Sequence, residues 1–108
     1  MTTKHVTIED LEKEFGRLTF GGLLRAHRLS EEESQVSMAK QLGLSKQNLN
    51  DMENGRRLPS LRKAVSIARK IGQLERLLVQ LVLQDQIDRE NLKYKVSIDA
   101  NPKNRKAS

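Results

Sequence analysis

Three residues, Gly43-Leu44-Ser45, separate two short stretches that each read as a capped amphipathic helix, and no other feature restricts the fold of this chain as tightly. Ser34 opens the first stretch as an N-cap; Met38, Ala39 and Leu42 share one face, and Gly43 supplies the left-handed residue that ends it. Ser45 caps the second, Lys46 to about Asn54, with Leu49 and Met52 pointing inward and Gly55 closing it. So short a connection makes the two helices cross instead of lying side by side. Small Ala39 permits the close crossing and Leu44 plugs the angle.

This is a helix-turn-helix signature, and the flanking sequence supplies further helices. One runs from Thr19 or Phe20 to about Glu32, with Phe20, Leu23, Leu24 and Leu29 inward. Gly21 and Gly22 weaken its first turn by roughly 1 kcal/mol each relative to Ala, so packing must hold Leu23 and Leu24. Another starts at the cap Ser60, carries the stripe Leu61, Ala64, Val65, Ala68 and Ile71, and ends at Gly72. A last one runs from Gln73 to about Asn91, apolar over Leu74, Leu77, Leu78, Leu81 and Val82, with Val79 and Leu83 beside them. Ahead of these, Thr7 caps a short leader helix with Ile8, Leu11 and Phe15 on one face. Beyond them, Leu92, Tyr94, Val96 and Ile98 alternate with polar residues, as in a β-strand, and residues 100–108 form a polar basic tail. The expected class is all-α, divided into a tail and leader helix (1–18), a DNA-binding domain with a dimerisation helix (19–91), and a strand-like segment with its tail (92–108).

Composition narrows the function. The 108 residues contain no Cys and two histidines, His5 and His27, which build no thiolate or convincing metal site and offer no nucleophile-base-orienter set. No cofactor and no enzymatic activity are expected. The lack of a long uncharged apolar run excludes a membrane span, and a soluble, cytoplasmic, nucleoid-associated protein is expected. The net charge of +6 is uneven: residues 34–76 carry nine basic and three acidic side chains, whereas residues 1–33 carry five and seven. A basic excess confined to the helix-turn-helix segment is the footprint of a phosphate-backbone binder.

Gln35 at the start of the first motif helix, Ala39 four residues on, Gly43 at the turn, then Glu53-Asn54-Gly55 and Pro59-Ser60 together resemble the Xre/Cro family of helix-turn-helix proteins, which includes lambdoid phage repressors. The resemblance covers roughly residues 19–72 and implies a five-helix DNA-binding domain. It also implies that Arg28, seven residues before Gln35, pairs internally with Glu53. Glu33 departs from the family pattern, which has a small or apolar residue before Ser-Gln, so the preceding helix end is expected to be exposed or shifted.

In such a domain the second motif helix enters the major groove of double-stranded DNA. Lys46, Gln47, Asn50 and Asp51 lie on its outward face as candidate base contacts. Gln47 is the first candidate; Asp51 either reads cytosine or repels phosphate. Gln35, Lys40, Asn54, Arg56, Arg57 and Arg62 are the candidate phosphate contacts. The wide face of Leu74, Leu77, Leu78, Leu81 and Val82 is expected to form a homodimer interface, placing two reading helices on a palindromic operator. The expected function is that of a dimeric transcriptional repressor. The alternative is an antitoxin that binds its own promoter while the leader helix or residues 92–98 mask a partner toxin.

Overall fold

A computed structural model describes residues 16–99 and 101; the expected leader helix and most of the basic tail lie outside the described residues. Five helices form within them: α1 Phe20–Ser30, α2 Gln35–Leu42, α3 Lys46–Glu53, α4 Leu61–Ile71 and α5 Glu75–Arg89. Four of the five start on a hydroxyl cap. Thr19, Ser34, Ser45 and Ser60 accept from the backbone N–H groups of Gly22, Ser37, Asn48 and Lys63 at 2.9 to 3.1 Å, each worth about 1 kcal/mol. No helix is long and apolar enough to cross a membrane, among the described residues.

The turn between α2 and α3 closes as its sequence demands. Gly43 sits at φ +69°, and the Leu44 N–H reaches back to the Ala39 carbonyl at 2.8 Å, so the last turn of α2 is satisfied before the chain reverses. Leu44 then packs against the core. That core is a single cluster in which Phe20, Leu24, Met38, Leu42, Leu49, Ile67, Leu78 and Val82 are fully buried. Every helix contributes to it. α1 packs on α3, α2 on α3, and α4 and α5 on each other.

The two glycines of α1 differ in what they do. A Cβ on Gly21 would lie 2.1 Å from the carbonyl oxygen of Met52, so the backbones of α1 and α3 approach to a distance only glycine allows. At Gly22 the nearest obstruction is the Thr19 hydroxyl at 3.0 Å. Low helix propensity in this turn is thus the cost of a close helix crossing.

Several expectations are corrected. Leu29 is 54% exposed: it lies nine residues after Phe20, about half a helical turn round from the buried face, and α1 stops at Ser30. In α4 the buried stripe is Ala64, Ile67 and Ala68, while Leu61 is exposed, because the face is rotated towards Ile67. Leu78, Leu81 and Val82 are not free to join subunits. They are buried inside this one chain; of the five expected interface residues Leu74 is exposed and Leu77 half-buried.

Residues 92–99 form no strand. The chain leaves α5 through Asn91 at φ +58°, and the side chain of Gln84 then takes the place of a neighbouring strand. Its Nε2 donates to the Tyr94 carbonyl at 2.9 Å and its Oε1 accepts from the Val96 N–H at 2.7 Å. The alternating pattern is present, but no ladder is available among the described residues to turn it into a sheet.

Candidate nucleic-acid interface

The positioning of α3 begins with a charge pair behind it. Glu53, in its last turn, has a side chain 2% exposed, and Arg28 of α1 grips it in a two-pronged bond, Nε to Oε2 at 2.7 Å and Nη2 to Oε1 at 3.0 Å. Arg28 also donates through Nη1 to the Glu33 carbonyl at 3.1 Å, which fixes the link between α1 and α2. Burial alone would push the Glu53 carboxyl up. The hydrogen bonds from Arg28 and Gln35 and the charges of Arg28 and Arg25 outweigh it and hold the group below the usual carboxylate range. The same bonds push the Arg28 guanidinium up. Both are charged throughout the physiological range.

Gln35 joins this pair to the candidate reading face of α3. Its Nε2 donates to Glu53 Oε1 and to Asn50 Oδ1, each at 3.1 Å, so both amide hydrogens are committed inside the protein. Of the donors expected to meet phosphate here, the Gln35 and Val36 N–H groups at the start of α2 remain, since the Ser37 N–H is held by the Ser34 hydroxyl. Glu33, the departure from the family pattern, is half-buried and accepts from the side chains of Gln41 and Ser37, spanning the first two turns of α2.

Lys46 and Gln47 are exposed on α3, Asn50 and Asp51 half-buried at its flank, and Leu49 and Met52 buried behind them. Gln47 Nε2 donates to Asp51 Oδ1 at 3.0 Å. Arg56, beyond the helix, reaches the same oxygen through Nε at 3.1 Å and Nη2 at 3.0 Å. Asp51 is therefore already occupied as the acceptor that orients Gln47 and Arg56. Asn54 Nδ2 donates to the Asn50 carbonyl at 2.8 Å and to its Oδ1 at 3.1 Å, closing the helix end. Lys40 is exposed on α2, Arg57 on the loop after α3 and Arg62 on α4. The loop is held from the far side by Arg89 of α5, which donates to the Gly55 carbonyl.

Sequence reasoning missed a second buried carboxylate. Asp85 of α5 accepts from the Phe20 N–H at 3.0 Å, satisfying the first turn of α1, and also from Arg17, whose Nε pairs with Asp88 Oδ2 at 2.7 Å. The only sequence signal was that Asp85 lies three and four residues after Val82 and Leu81, on the same helical face as those apolar residues.

Residues 19–81, more than half of the chain, match a family described as a helix-turn-helix domain. A 10 kDa protein of the ImmF control region of Bacillus phage phi105 is 44% identical over 48 residues, which are 44% of this chain and 53% of that protein. The chain thus spans about half the length of this curated relative. No solved structure matches it significantly.

Proposed function

Because the chain belongs to the helix-turn-helix domain family, we propose that it is a sequence-specific regulator of transcription, of Xre/Cro type, that lays α3 in the major groove of double-stranded DNA. The observation that carries this reading is the open face of α3. Lys46 and Gln47 line its solvent side, with half-buried Asn50 at the flank, while Leu49 and Met52 fasten its back to the core. Arg56 is held beside that face by Asp51, and Lys40, Arg57 and Arg62 are exposed on α2, on the loop after α3 and on α4, cations available to neutralise phosphates. The phage relative bears the name of a control-region protein, which agrees with a regulatory role.

Repression from a dimer is the form we propose. One domain reads only a few base pairs, and two copies related by a two-fold axis read half-sites about 10 base pairs apart. With Leu78, Leu81 and Val82 consumed by the core, the apolar surface left for a partner copy includes Leu74, Leu92 and Tyr94.

Selection of binding sites from random duplex DNA with the full chain tests the reading. The expected result is a dyad-symmetric site whose affinity falls steeply with salt. Binding that is equally tight to every sequence, or no binding to duplex DNA, overturns it, and a selected site without symmetry overturns the dimer alone.

A further inference from the structure

The hydrogen bonds behind α3 do more than hold it, because they fix which way round one reading side chain points. Arg28 holds Glu53 as an ionised carboxylate, which can only accept. Glu53 therefore fixes the amide of Gln35 with its nitrogen inward. Gln35 uses its second hydrogen on Asn50, which must turn its oxygen to receive it, and Asn54 donates to that same oxygen. Reversing the Asn50 amide would bring its NH2 group against two other NH2 groups and leave their hydrogens without an acceptor. The Asn50 Nδ2 hydrogens take no acceptor among the described residues.

We infer that Asn50 presents only donors to DNA and that the base pair it faces is chosen for guanine over adenine. Guanine shows two acceptors in the major groove, N7 and O6, whereas adenine shows one acceptor and the N6 amino group, which would meet the Asn50 amino group head on. An unconstrained asparagine has the opposite habit, since its amide pairs with adenine through both atoms. The core ion pair thus acts on specificity at a distance, through Gln35, making Gln35 a positioning residue for Asn50. This assignment rests on the DNA-binding role proposed above.

The test compares three full-length proteins on base-substituted versions of the selected site. Asn50→Ala identifies the base pair concerned, as the one whose preference it erases. At that pair the unaltered protein is expected to favour guanine over adenine about tenfold. Gln35→Met, which keeps the side chain's length but removes the donor that pins the Asn50 oxygen, is expected to reduce the ratio to about twofold, with the preference that depends on Gln47 unchanged. Adenine at the Asn50 position, no position that depends on Asn50, or an undiminished guanine preference in Gln35→Met overturns the inference and leaves the DNA-binding role intact. A protein that selects no site overturns both. Should Gln35→Met fail to fold, hydrogen exchange of the side-chain amides in the unaltered protein decides: the Gln35 hydrogens must exchange more slowly than those of Asn50, and the reverse order overturns the inference.

Discussion

Glu53 and Asp85 are the two buried charged side chains among the described residues, and they serve different halves of the molecule. Each accepts from an arginine and from a second donor. Asp85 ties α5 to the beginning of α1, a junction with no candidate DNA contact, whereas Glu53 sits in α3 and bonds the two helices that carry the candidate reading face. A buried carboxylate with satisfied partners is structural in both places. Only where its network ends on an amide of the candidate reading face can it also shape recognition.

The sharpest way to break this comparison is to remove each carboxylate in turn. Glu53→Ala leaves the Arg28 guanidinium buried without its partner and is expected to cost about 3 to 5 kcal/mol in urea unfolding, together with specific DNA binding. Asp85→Ala strips the acceptor from the Phe20 N–H and from Arg17, with an expected cost of about 2 kcal/mol. Its base preferences should be unaltered when measured where the protein is still folded. Equal effects of the two on base preference would erase the distinction.

Gly21→Ala probes the contact that brings α1 close enough for Arg28 to reach Glu53. The added methyl meets backbone, which cannot swing away, so a loss of about 1 to 3 kcal/mol is expected in the same unfolding assay.

Acid offers a graded version of the first experiment. Because the Glu53 carboxyl titrates lower in the folded chain than in the unfolded one, the unfolded chain binds the extra proton as pH falls. The stabilisation is complete above the ordinary carboxylate range and is lost as pH drops through the depressed value. Urea midpoints measured from neutral to acid pH should fall less for Glu53→Gln than for the unaltered protein.

The smallest effects belong to the surface and should leave stability untouched. Gln47→Ala is expected to relax the preference at one base pair by about 1 to 3 kcal/mol, and Arg57→Ala to weaken all sequences alike while lowering the salt slope by about 1. A uniform loss for Gln47→Ala would remove it as a reader.

What was legible in the sequence was local. Ser34, Ser45 and Ser60 announce helix starts by a bond to a backbone group three residues on, and Gly43 announces a stop by its left-handed conformation, so neither needs knowledge of the rest of the fold. The pairing of Arg28 with Glu53 came from family resemblance, since nothing local connects residues 25 positions apart. The misreadings, Leu29, Ile67 and the apolar face of α5, share one cause. Periodicity shows that a helix has an apolar side, but not which neighbour covers it, and the side of α5 that looked like a subunit interface is the floor of the core.

The segment after α5 failed for a related reason. Alternation at Leu92, Tyr94, Val96 and Ile98 is a property of one chain, whereas a strand is a property of two, and the amide of Gln84 is what this segment meets instead. The sequence by itself determined where α1 to α4 begin and where α2, α3 and α4 end, because hydroxyl caps and glycine turns are satisfied within a few residues. By contrast α1 and α5, which end without glycine, stop about two residues earlier than their patterns suggest. Tertiary structure alone decided the crossing at Gly21, the burial of Asp85 and the orientation of the Asn50 amide. Each depends on a group far along the chain: the Met52 carbonyl leaves no room for a Cβ at Gly21, while Asp85 and Asn50 are set by hydrogen-bond partners whose direction is fixed only once they are in place.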